Sequence, residues 1–201
     1  LAQLQAAMAI TRIDAVQLEY SLLQRAPEDS GILSYCAANQ IAFTSYSSLA
    51  KGLLTGAYHL GKARIAPNDF RAERRLFVPE HLKKETPLIH LLWDIAGELD
   101  TSIAQVAMGW LLARPGMTTA IVGTQRIEHL DDNLAAADLT LPQEAVDRLD
   151  AVSAEVLSSL YTSGSPDRNE SEADGKKPAQ DDRSRAGCFL CGCAPDPQPI
   201  R

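Results

Sequence analysis

Three short stretches carry residues whose types and spacing suit a bound ligand. The first is Tyr46-Ser47-Ser48-Leu49-Ala50-Lys51-Gly52, where an apolar run ends in a ring followed by two hydroxyls, a lysine and a glycine. The ring is either a platform for another flat ring or core filler. Lys51 by itself reads as a solvated charge. The second stretch is Gly123-Thr124-Gln125-Arg126, behind the apolar run Thr119-Ala120-Ile121-Val122. A strand, then Gly-Thr, then a helix N-terminus offers free amides and a positive dipole end, which suit a phosphate. The plainer reading is an ordinary strand-to-helix turn capped by Thr124. The third stretch is Gln17-Leu18-Glu19-Tyr20-Ser21, where Gln17 stands between the apolar Val16 and Leu18. Its amide needs partners there, either core backbone or a ligand amide.

These residues need elements to hold them. Ile13 to Tyr20 and Ile41 to Tyr46 read as strands, with a short helix from Glu28 to Asn39 between them carrying Ile32, Tyr35 and Cys36 on one face. Pro87 to Leu99 reads as an amphipathic helix, because Leu88, Leu91, Leu92, Ile95 and Leu99 share one face. Ser102 with Gln105 has the spacing of a capping box. The helix it opens turns Val106, Ala107, Trp110 and Leu111 inward and stops at Arg114-Pro115-Gly116. Thr119 to Val122 is a third strand, and a helix follows from about Arg126 to Ala136. Pro142 opens a last helix with Val146, Leu149 and Val152 inward. Strands alternating with helices give an α/β fold with a parallel sheet and crossover helices. In such folds ligands sit at the carboxyl ends of the strands, where all three stretches fall. About three strands are too few to close a barrel and leave two open edges.

The bulk numbers exclude several classes. Apolar residues make up 45% of the 201 and charged residues 22%, the balance of a soluble globular domain. A net charge of -7 argues against nucleic acid and anionic lipid. No apolar run reaches the roughly 18 residues of a membrane span. Three of the four cysteines crowd into Cys188, Cys191 and Cys193. That is not the spread of a disulfide framework, so a reducing, cytoplasmic setting is expected. The cluster could offer three soft metal ligands, but no fourth stands nearby, and no metal is assigned to it. Residues 1–155 read as the folded part. Residues 156–201 read as a low-complexity tail, expected to be disordered from about 160 for want of apolar side chains. The chain starts without methionine and inside an apolar periodic pattern, which points to a fragment.

Taken together the stretches become recognisable. VQLEYSLLQR, then YSSLAKGLLTG, then SIAQVAMGWLL, then AIVGTQRIEHLDDNLAA resemble, in order and spacing, the C-terminal half of an aldo/keto reductase over about residues 1 to 154. The resemblance implies the C-terminal part of a (β/α)8 barrel. It implies that Tyr46 stacks on a nicotinamide ring and that Gln17 holds its carboxamide. It places Ser47, Leu49, Lys51 and Gly52 at the pyrophosphate, and Arg71, in the loop Asn68-Asp69-Phe70-Arg71, on a phosphate. Gly123, Gln125, His129, Asp132 and Asn133 occupy the motif that grips the adenosine end. Gln125, His129 and Asp132 depart from its usual residues, which leaves NADP(H) against NAD(H) open.

The implied reaction passes a hydride between a nicotinamide and a small carbonyl or alcohol substrate, with a tyrosine of lowered pKa as proton donor. The family's catalytic residues precede the matched half, so this chain supplies the cofactor side alone and no catalytic residue is named. The missing barrel half, or self-association, is the expected protein partner. The alternative is a non-catalytic nucleotide-binding or regulatory module on the same half barrel.

Overall fold

The alternation of Ala42, Phe43, Thr44, Ser45 and Tyr46 between half-buried and buried positions is the period of two of a strand with one face on a core. Among the described residues, this strand is the middle one of three. The computed structural model describes residues 1–66, 68–124 and 126–161. Helix α1 (Ala2–Met8) precedes β1 (Ala15–Glu19); α2 (Ala26–Asp29) and α3 (Ile32–Ala38) lead to β2 (Ala42–Tyr46). Turns of 3₁₀ helix follow at Ala50–Thr55, Phe70–Glu73 and Arg75–Phe77. Then come α4 (Pro79–Glu98), α5 (Ile103–Leu112), β3 (Met117–Ala120), α6 (Ile127–Ala135) and α7 (Gln143–Tyr161). The sheet runs β1-β2-β3 and is parallel throughout. The parallel α/β architecture expected from the sequence is present.

Parallel partners point their side chains to the same side. Gln17 pairs with Thr44 and Glu19 with Tyr46, so these four share one face of the sheet. Phe43 and Ser45 lie on the opposite face, buried under the helices. There Tyr20 meets Phe43 edge-on at 6.0 Å and Trp110 at 5.8 Å, and α4 contributes Leu88, Ile89, Leu92 and Ile95. Asp150 of α7 accepts from the Trp110 indole at 3.0 Å and pairs with Arg114 at 2.9 Å and Arg25 at 3.1 Å. The Tyr20 hydroxyl donates to Glu28, and burial pushes its pKa up. This network holds the carboxyl end of β1 against the helices behind it.

The elements differ from the sequence reading in four places. The helix expected from Glu28 is split, because Gly31 sits at φ +74° between α2 and α3. Helix α4 begins at Pro79 rather than Pro87, and Pro87 lies inside it. Pro79 supplies a first-turn proline, and Leu88 and Ile89 beyond Pro87 are buried deeply enough to hold the helix through the missing amide. Strand β3 lies two residues upstream of the expected run, at a register shift where Phe43 N donates to the Thr118 hydroxyl instead of a carbonyl. The ladder is extended by Ile121 N donating to Ser45 O at 2.8 Å. Helix α7 runs past the composition break at 156, since Val156 and Leu160 are buried. The cysteine cluster and the tail beyond 161 lie outside the described residues.

Candidate functional site

Beyond Tyr46 the backbone takes an uncommon path. Ser47, Ala50 and Lys51 have φ of +51°, +49° and +57°, and Gly52 lies at +99°. Residues with a Cβ pay roughly 1–2 kcal/mol to sit there. Three of them within five positions, at a strand exit, is strain of the kind that collects at ligand sites. The bend is closed by Ala50 N donating to Ser47 O at 2.7 Å and Gly52 N to Leu49 O at 2.9 Å.

The neighbouring exits are tied to this bend. The Ser48 hydroxyl donates to Ile121 O at 3.1 Å and shares a hydrogen bond of 2.8 Å with Ser45. The segment leading to Gly123 is thereby held beside the β2 exit. On the other side, Lys51 Nζ lies 2.6 Å from Glu19 Oε1 at the end of β1. Gln17 is exposed on the face it shares with half-buried Tyr46, so its amide needs no partner from the helix-side core.

Arg71 reaches the bend through Tyr58. Its guanidinium lies 5.7 Å from the Tyr58 ring, and that ring's edge is 3.6 Å from where a Cβ on Gly52 would be. Arg71 is clamped by Asp69, Nη2 to Oδ2 at 2.6 Å, and Asp69 also accepts the Arg71 amide at 2.9 Å. Those bonds hold the Asp69 carboxyl below the usual carboxylate range and raise the Arg71 guanidinium.

The structure gathers Tyr46, Ser47, Leu49, Lys51 and Gly52 in the bend at the carboxyl end of β2, with Gln17 in mid-β1 on the face of Tyr46, Arg71 against Tyr58 beside Gly52, and Gly123 linked through Ser48. A Cβ at Gly123 would meet no atom within 4 Å, so nothing in the chain's own packing requires glycine there. Around the strained bend thus lie two cations and an open glycine, beside a half-buried ring and an exposed amide.

The adenosine-end candidates are less convergent. His129 is exposed and Asn133 half-buried on α6, and Gln125 lies outside the described residues. Asp132 is occupied: Ser102 Oγ donates to it at 2.8 Å and Gln105 Nε2 at 2.8 Å. Ser102 and Gln105 form the expected capping box, and Asp132 locks α6 to it. Nothing in the sequence singles out Glu19 or Ser48; their roles come from the strand register and from the turn. Among the described residues, no group of three or more His, Cys, Asp or Glu could hold a metal, and no helix is long and apolar enough to cross a membrane.

Comparison with known proteins shows the family. The sequence model of the aldo/keto reductase family matches residues 1–154. An uncharacterized oxidoreductase of Mycobacterium tuberculosis is 42% identical over 105 residues, 52% of this chain and 31% of that protein. The aldo-keto reductase yakc [NADP(+)] of Schizosaccharomyces pombe is 30% identical over 162 residues, 79% of this chain and 47% of that protein. In fold, the glycerol dehydrogenase of Gluconobacter oxydans superposes with a TM-score of 0.69 at 18% identity, over 83% of this chain and 49% of that one. The chain spans less than half the length of each of these relatives.

Proposed function

The chain belongs to the aldo/keto reductase family, and on that footing we propose that it forms the cofactor-binding side of an NADP(H)-dependent oxidoreductase. Tyr46 stacks on the nicotinamide and Gln17 holds its carboxamide. Ser47, Leu49, Lys51 and Gly52 receive the pyrophosphate, with Arg71 closing over it. Gly123 gives room at the adenosine end, where Gln125, His129 and Asn133 complete the contact. The bound nicotinamide supplies hydride chemistry. The chain's own residues orient that ring and neutralise the phosphates. The proton donor and its partners come from the part of the barrel that faces this one, and the substrate is a small carbonyl compound. A complementary barrel half, or a second copy, covers the open strand edges. The cytoplasm is the expected compartment.

The observation that carries this reading is the run of left-handed residues Ser47, Ala50 and Lys51 at the β2 exit, beside Tyr46. It is supported by the S. pombe relative, whose name carries NADP(+). The test is a fluorescence titration of the purified chain with NADPH and NADH, alone and fused behind the N-terminal half of a related reductase. Saturable NADPH binding that inorganic pyrophosphate competes for is expected. Absence of binding by a folded fusion would refute the reading.

A further inference from the structure

The two cations at the phosphate seat are already charge-balanced. Lys51 Nζ donates to Glu19 Oε1 at 2.6 Å, with the two side chains 24% and 25% exposed. Arg71 meets both Asp69 oxygens, Nε at 2.9 and 3.0 Å and Nη2 at 2.6 Å. In each pair a carboxylate presents the anionic oxygens that a phosphate would present. The pairs differ in kind. Asp69 also accepts the Arg71 amide and caps its 3₁₀ turn, so it builds the loop it sits in. Glu19 caps nothing. Its contact spans 32 residues of sequence and joins the exits of β1 and β2. It stands beside Tyr46 in register, on the face that carries Gln17.

Resting on the cofactor reading above, we propose that Glu19 is an internal counter-ion that sets the affinity of the site. It holds Lys51 in the seat, and the diphosphate of an entering dinucleotide displaces it. Lys51 then exchanges one charge-assisted hydrogen bond for another of similar strength. The displaced carboxylate is left near a second anion in a partly screened setting, which disfavours the bound state. The seat therefore binds less tightly and releases faster than it would with Lys51 unopposed. A purely structural Glu19, welding β1 to β2, has the opposite consequence. Its removal would loosen the exits and weaken whatever binds there.

The experiment titrates NADPH, and separately inorganic pyrophosphate, into the full chain, alone and fused behind the N-terminal half of a related reductase, and into its Glu19→Gln, Lys51→Met and double variants. Thermal melts run alongside. Glu19→Gln is expected to tighten both probes about 2- to 5-fold, the scale of a partly exposed ion pair, and to slow NADPH release. Lys51→Met is expected to weaken binding and to erase the gain in the double variant. Unchanged or weaker binding by a folded Glu19→Gln protein overturns the proposal while leaving the cofactor reading intact. So does a gain that survives without Lys51. No saturable NADPH binding by a folded fusion behind the N-terminal half of a related reductase overturns the cofactor reading and the proposal with it. Glu19→Ser gives the same measurement where the glutamine variant does not fold, and failure of both to fold shows the pair to be structural and overturns the proposal.

Discussion

His59 and Glu85 face each other in the interior, Nε2 to Oε2 at 3.4 Å, with side-chain exposures of 6% and 0%. Among the described residues, neither has a hydrogen-bonded partner for its nitrogens or oxygens. Burial raises the Glu85 carboxyl above its ordinary range, and the His59 imidazole opposes the rise. The folded state thus keeps the Glu85 proton to higher pH than the unfolded chain does. The stability that this proton contributes is complete below the unfolded value of 4.5 and is lost as pH rises through the folded one.

Glu85→Gln keeps the shape and removes the titration. It is expected to stabilise the protein at pH 7.5, where a buried carboxyl with a raised pKa disfavours the folded state, and so to raise Tm there. It should also flatten Tm against pH above 4.5. Melts of the two proteins across pH 4–8 check this, and an unchanged slope would show that Glu85 is not the titrating group.

Asp132 gives a prediction that separates packing from ligand contact. Its carboxylate accepts from Ser102 and Gln105, so Asp132→Ala removes the tie between α6 and the cap of α5. A loss of about 1–2 kcal/mol in stability is expected, with NADPH affinity of the folded protein changed less than about 3-fold. A folded variant that keeps its Tm but loses tenfold or more in affinity would return Asp132 to the adenosine site.

These cases mark what the sequence makes legible. The three exits could be placed because strand and helix periods are local, and the Ser102–Gln105 box because its spacing is fixed by one helical turn. The Glu19–Lys51 pair could not, since it depends on strand register and on a bend of left-handed residues that no propensity predicts. The Pro79 start of α4 was hidden for a similar reason: tertiary burial of Leu88 and Ile89 outweighs the internal Pro87. The role of Asp132 was hidden because a motif position names a residue, and the neighbouring helix decides what it bonds.

Tyr46 tests the nicotinamide contact. A phenol stacked on the cofactor contributes about 0.5–1.5 kcal/mol beyond its buried area. With lost area at about 25 cal/mol per Å², Tyr46→Ala should weaken NADPH binding by roughly 5- to 50-fold, while Tyr46→Phe and Tyr46→Trp stay mild. If Tyr46 only fills space, the alanine variant lowers Tm and binds cofactor normally. Titration beside a melt, in a barrel completed by the N-terminal half of a related reductase, decides between them.

Two glycines on either side of β3 should respond in opposite ways. Gly116 precedes the strand at φ +91°, and a Cβ there would lie 2.9 Å from Leu33 O and 3.1 Å from the Ala37 Cβ. Neither the α3 backbone nor a methyl group on it can move aside easily. Gly116→Ala is therefore expected to cost about 2–4 kcal/mol, adding backbone strain to overpacking. Gly123 follows the strand, and a Cβ there meets nothing within 4 Å. Gly123→Ala should leave Tm unchanged within about 1 °C. If the cofactor's backbone contact runs past this residue, the added methyl group takes the space it needs, and NADPH affinity falls by tenfold or more. Paired melts and titrations of the two variants read both effects at once. A Gly123→Ala protein of full stability and full affinity would remove Gly123 from the cofactor site, whereas loss of affinity at unchanged Tm would show that the glycine serves the ligand and not the fold.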